Sequence, residues 1–136
     1  MERDEMKTML QALIDSWETG FDTMVDGIRK YTTPDFLWRN NGYPDVRGHE
    51  AAIALFEGAR DQQGLASIET DVEAFIIDPP YAAIERIDRM KRADGSVIAT
   101  LPIVGVFRFE NGRIAYWNDS TDSAAFRDAA NGAVTH

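Results

Sequence analysis

Hydrophobic residues fall every three or four positions over residues 4–19, where Met6, Met9, Leu10, Leu13, Ile14 and Trp17 recur, and Gly20 follows. That spacing puts one apolar stripe on a helix, and the glycine supplies its stop. A second, shorter helix is predicted with Asp22 as N-cap and Met24, Val25, Ile28 and Tyr31 turned inward, ended by Thr33-Pro34. Residues 35–41 read as a strand with Phe36, Trp38 and Asn40 on one face, and residues 42–48 as a loop. Helical spacing returns over residues 49–63 through Ala52, Ile53, Phe56, Ala59 and Arg60, with Gly64 as the stop.

Beyond Gly64 the period changes from helical to alternating. Residues 67–77, 82–92, 97–109 and 114–119 are rich in β-formers, separated by Asp78-Pro79-Pro80, Ala93-Asp94-Gly95-Ser96 and Glu110-Asn111-Gly112-Arg113. Asn-Gly between apolar runs is a strong hairpin signal. Helices first and a meander afterwards predict an α+β fold, a curved mixed or antiparallel sheet packed on N-terminal helices. The 136 residues fit a single domain, 1–136, with residues 127–136 as a mobile tail.

Alternation along residues 82–92 has a chemical consequence. Ala82, Ile84, Arg86, Asp88 and Met90 share a face that is apolar at both ends. A guanidinium and a carboxylate buried there need partners or a function. Asn40 shares its face with Phe36 and Trp38, and Asp119 closes the last strand after Ala115 and Trp117. A two-residue turn at Asn111-Gly112 sets Asp119 opposite Val104, although Ile114 and Tyr116 make the other face equally apolar and a bulge would change the register. Should these groups converge, one proton shared by two aspartates and an arginine leaves the cluster neutral, with one acid and one base at neutral pH. The bland reading of the i, i+2 spacing is an exposed ion pair.

The formal charge of -9, from 23 acidic and 14 basic residues, argues against nucleic acid or an anionic membrane as a partner. The basic residues Arg86, Arg89, Lys91 and Arg92 scatter over two strand faces rather than forming a patch. The absence of cysteine removes thiolate and disulfide chemistry. His49 and His136 are placed for neither a metal site nor a proton shuttle. No leader or membrane span is apparent, so the expectation is a cytoplasmic protein without metal or cofactor.

The segments "LWRNN" (residues 37–41), "ERIDR" (85–89) and "VGVFRFENGRIAYWND" (104–119) resemble the limonene-1,2-epoxide hydrolase family, within the NTF2-like, SnoaL-like superfamily. The likeness runs from the first helix to about Phe126. It implies a one-step, cofactor-independent opening of an epoxide by an Asp-Arg-Asp triad. Carried over by position, Asp119 is the base that activates water, Asp88 the acid, Arg86 the bridge and Asn40 a water-positioning amide. Trp38 stands where the family has a tyrosine, and an indole N–H donates but cannot accept a water hydrogen. Met24, Ile28, Phe36, Leu101, Ile103 and Phe126 are candidates for the substrate-binding wall, with a small apolar epoxide as substrate and a homodimer as the expected assembly. Two other classes stay open: a proton-shuttling isomerase or polyketide cyclase of the same fold, and a non-catalytic ligand-binding or dimerisation module.

Overall fold

The computed structural model describes residues 1–121. Helices α1 (Arg3–Thr19) and α2 (Phe21–Tyr31) lead into strand β1 (Thr32–Asn40). A two-residue strand β2 (Val46–Arg47), helix α3 (His49–Gln63) and strands β3 (Leu65–Asp78), β4 (Tyr81–Arg92), β5 (Val97–Glu110) and β6 (Arg113–Ser120) follow. The predicted α+β fold is therefore the observed one. The residues at 124–136, with Phe126 and the expected tail, lie outside the described residues.

The first helix forms as its stripe dictates: Met6, Leu10, Leu13, Ile14 and Trp17 are buried, and Met9 packs at the margin. The second starts two residues earlier than Asp22 as N-cap suggests. Gly20, not Asp22, is its N-cap, and Asp22 sits in the first turn, where its charge complements the helix dipole. In α3 the core face is Ala52, Ile53 and Phe56, while Arg60, expected to turn inward, is exposed and lays its guanidinium 4.7 Å from the Phe21 ring. Gly64 ends α3 in the left-handed conformation at φ 81°, its N–H returning to the Ala59 and Arg60 carbonyls.

Among the described residues the strands form one six-stranded sheet in the order β2-β1-β6-β5-β4-β3. Strands β3 to β6 make the expected antiparallel meander, and β1 joins parallel to β6, so the sheet is mixed. The segment expected to be loop contributes β2, whose Arg47 and Val46 pair with Leu37 and Trp38. At the far end of β1, Asn41 clamps β6: its amide donates to the Thr121 carbonyl at 2.8 Å and accepts from the Thr121 N–H at 2.7 Å.

Asn111 and Gly112 both have positive φ (53° and 79°), as a two-residue type I′ hairpin turn requires. The register then shifts. Phe109 pairs with Ile114, but Arg108 pairs with Tyr116, so Ala115 is an extra residue in β6. This bulge places Asp119 opposite Gly105 rather than Val104. It also explains why both faces look apolar in sequence: Ile114 is buried on one side of the bulge, and Trp117 and Asp119 on the other.

The core lies between the helices and the sheet, where Phe36, Ala82, Ile84, Leu101, Phe107, Ile114 and Trp117 meet the α1 stripe. Among the described residues no helix is long and apolar enough to cross a membrane.

Candidate active site

The inward alternation of β4 buries both charged side chains. Arg86 is 2% exposed and Asp88 5%, and Asp119, delivered by β6, is also 5% exposed. This rules out the exposed ion pair. The remaining members of the basic run are surface groups: Arg89 pairs with Asp71 at 2.7 Å and Lys91 with Glu69 at 2.6 Å.

The three groups form one hydrogen-bonded unit. Arg86 Nε donates to Asp88 Oδ1 at 3.1 Å and to Oδ2 at 3.3 Å, while Nη2 donates to Asp119 Oδ2 at 2.9 Å. Thr70 on β3, directly opposite Asp88, donates its hydroxyl to Asp88 Oδ1 at 2.9 Å. Trp117 Nε1 donates to Asp119 Oδ1 at 2.8 Å. From the other side, Trp17 of α1 offers its ring face to the guanidinium, with Cζ 5.3 Å from the centroid.

Two carboxylates and one guanidinium carry a net charge of -1 in a largely buried site, a costly arrangement that one added proton relieves. Burial pushes the Asp88 carboxyl up; the Arg86 charge opposes this without overcoming it, and Asp119 adds to the rise. Burial pulls Arg86 down, but the charges of Asp119 and Asp88 outweigh it and hold the guanidinium above its ordinary value. Arg86 is thus a permanent cation, and Asp88 is the group disposed to keep the shared proton. Both Asp119 oxygens accept a hydrogen bond, Oδ1 from Trp117 and Oδ2 from Arg86.

Both carboxyls open onto one cavity of about 330 Å³, lined also by Trp38, Asn40, Phe56, Met90, Leu101 and Ile103. Asn40 and Asp119 are register partners on the parallel pair β1 and β6, so amide and carboxylate stand side by side at this wall. Trp38 is 6% exposed, stacked 4.9 Å from Trp117 and tilted against Phe56 at 5.4 Å, and its Nε1 has no hydrogen-bond partner among the described residues. Two carboxyls bridged by a fixed cation and facing one apolar space are groups able to take a proton from one atom of a bound molecule and deliver a proton to another. Among the described residues no group of three or more His, Cys, Asp or Glu side chains is placed to hold a metal ion.

Leu101 and Ile103 line the cavity, whereas Met24, Ile28 and Phe36 are fully buried in the core and do not reach it. Their inward direction was legible, but an inward side chain near the helices meets the helices rather than the cavity. Phe126 lies outside the described residues. Sequence reasoning missed three contributors. Thr70 is one, and the Trp117 indole N–H, expected only to pack, is another. The third is a wall built by Ala54, Leu55, Gly58, Ala59 and Gln62 of α3. The available signal was Leu55, a large apolar residue off the helix's core stripe and 38% exposed.

Residues 10–117 match the SnoaL-like domain family. A search of curated proteins finds no match. Solved structures with the same fold include an LEH-like epoxide hydrolase from M. tuberculosis, with TM-score 0.72 and 20% identity over 94% of this chain and 90% of that one. A protein from Jannaschia sp. CCS1 named as a SnoaL-like polyketide cyclase has TM-score 0.73 and 21% identity over 95% and 92% of the two chains. An NTF2-like protein from Burkholderia pseudomallei K96243 has TM-score 0.75 and 20% identity over 95% and 98%. At these identities the likeness establishes the architecture, which hosts both hydrolases and cyclases. With its family match spanning most of the sequence and its helices laid on a curved mixed sheet, the chain belongs to the SnoaL-like family on the NTF2-like cone fold.

Proposed function

We propose that the chain is an epoxide hydrolase of the limonene-1,2-epoxide hydrolase type, adding water in one step to a small apolar epoxide to give a vicinal diol. The observation that carries this reading is the pair of buried carboxyls held by Nε and Nη2 of one guanidinium, both facing the same apolar cavity. Asp119 takes a proton from water held beside Asn40. The water oxygen bonds to an epoxide carbon as the carbon–oxygen bond breaks, and Asp88 gives its proton to the departing oxygen. Asp119 ends protonated and Asp88 ionised, so loss of one proton to solvent and gain of another restore the starting state. Arg86 keeps the two acids at fixed separation throughout.

The test is a panel of cyclic, styrene-type and aliphatic epoxides assayed for diol, followed by one turnover in oxygen-18 water. Label in the diol and none in the protein is expected. Label in Asp119 or Asp88 would indicate an ester intermediate and remove the one-step mechanism. Asp119→Asn should lower turnover by about a thousandfold, the scale set by loss of a general base together with its charge.

Trp38 favours a second reading, in which the same acid and base move a proton within one substrate, as an isomerase or cyclase would. An indole at this position supplies no acceptor for a water hydrogen, and such a reaction needs no water. Isomerised or cyclised product without diol would support it; failure of every reactive substrate would leave a ligand-binding module. The proposal includes a homodimer, supported by Val104 and Val106, which project 45% and 36% exposed from the outer face of β5. Sedimentation at the mass of a single chain would remove that part.

A further inference from the structure

The inner face of β5 presents Ala99, Leu101, Ile103, Gly105, Phe107 and Phe109 in alternation, all buried, with one position lacking a side chain. Backbone conformation does not require the glycine, because Gly105 is not among the residues with positive φ. At such a position a strand ordinarily prefers almost any side chain to glycine, which adds chain entropy and packs nothing. The reason therefore lies in space. A Cβ built on Gly105 would stand 2.5 Å from Arg86 Nη1 and 2.6 Å from Asp119 Oδ1, with Phe107 Cε2 at 3.2 Å.

Topology explains this crowding. Arg86 belongs to β4 and Asp119 to β6, with β5 between them. Neighbouring strands lie about 4.8 Å apart, so the arginine must run across the inner face of β5 to reach its second partner. Ile84 on β4 and Asp119 on β6 are the two register partners of Gly105, and Arg86 pairs with Ile103, one inward position away. The guanidinium leans diagonally over the gap. Neither crowded group has room to give: Nε is tied to Asp88, Nη2 to Asp119, the Trp17 ring faces Cζ, and Asp119 Oδ1 is held by Trp117.

We propose that Gly105 is a positioning residue, its missing side chain being the passage through which Arg86 spans β5 to join Asp88 and Asp119 into one acid–base unit. Ile103 and Leu101 wall the cavity, whereas Gly105 does not border it, so the effect of filling the passage is on the trio and not on substrate fit. The activity consequence rests on the epoxide hydrolase reading; the geometric one does not.

Gly105→Ala tests both. Turnover of the diol-forming reaction should fall about 100-fold, the scale of an ångström-sized misplacement, with KM within about threefold of the parent. Nitrogen-15 signals of the Arg86 side chain and the carbon-13 carboxyl signal of Asp119 should shift, reporting separation of the pair. Unchanged signals and turnover would overturn the proposal, as would lowered thermal stability alone with a parental pH–rate profile, which marks simple crowding of Phe107. If Gly105→Ala fails to fold, the double variant with Arg86→Met removes Nη1 from the passage. Recovery of folding then supports the proposal, and failure to recover when Arg86→Met alone folds overturns it. If the parent opens no epoxide, the resonance shifts still decide the role of Gly105, so the two readings fail separately.

Discussion

The indole N–H of Trp117 donates to Asp119 two residues further along β6, at 2.8 Å, and the same ring is stacked between Trp17 (5.6 Å) and Trp38 (4.9 Å). One side chain thus fixes a carboxylate and packs the core. Trp117→Phe separates these duties by keeping an aromatic ring and deleting the donor. A hydrogen bond to a charged group contributes about 1.5–3 kcal/mol, so turnover should fall roughly 10- to 100-fold. Steady-state kinetics with a reactive epoxide check this; parental turnover would show that the bond does not orient the base.

Asp88→Asn is expected to abolish activity and to stabilise the protein at neutral pH. The folded-state value of Asp88 is raised, chiefly by burial, so its contribution favours folding most below the ordinary aspartate value and is lost as pH rises through the raised one. Asparagine carries no charge to desolvate and keeps an oxygen for Arg86 and Thr70. Thermal melts should show the variant melting higher at pH 7, with the advantage shrinking as the pH falls from the raised value toward about 4 and gone below it. A lower melting temperature at pH 7 would contradict the assignment.

Thr70→Val removes the hydroxyl that donates to Asp88, a bond that favours the ionised carboxyl. Its loss raises Asp88 further. Catalysis by a protonated Asp88 fails as the pH climbs through that value, so the alkaline limb of kcat/KM should move to higher pH in the variant. A limb that stays in place would assign the acid to another group.

Trp38→Tyr supplies a phenol oxygen able to accept a water hydrogen and leaves more room beside Asn40. Diol formation should be retained or increased, most visibly with bulkier epoxides. Complete loss would place the attacking water elsewhere.

The division between what was legible in the sequence and what was not follows the bulges. On β4 the alternation is unbroken, and Arg86 and Asp88 point inward as the pattern of Ala82, Ile84 and Met90 requires. On β6 the insertion at Ala115 changes the face midway, so the register counted from Asn111-Gly112 is one residue off at Asp119. On β3 the pairing that starts at Asp78 and Tyr81 slips between Val72 and Ala74, which brings Thr70 rather than Asp71 opposite Asp88. Both irregularities lie between a hairpin turn and the residue they deliver, and periodicity is blind to them because each adds one residue without changing composition. The α3 wall was hidden for a different reason. A cavity is lined by side chains that belong neither to the core stripe nor to the solvent face, and a two-class pattern has no symbol for them.

Helix α3 stands apart from β4 and β6, the strands that carry Asp88 and Asp119. Its start is tied to the chain by His49, whose Nε2 lies 3.2 Å from the Thr32 carbonyl oxygen, and its end by Gly64 and by Arg92 Nε donating to the Gln63 carbonyl at 2.9 Å. Anchored at both ends, it presents Ala54, Leu55, Gly58 and Gln62 to the cavity. One wall of the cavity therefore belongs to a stretch of chain that carries none of the three charged groups. Diversifying those four helix positions offers a route to reshaping the cavity that leaves the Asp88–Arg86–Asp119 unit untouched.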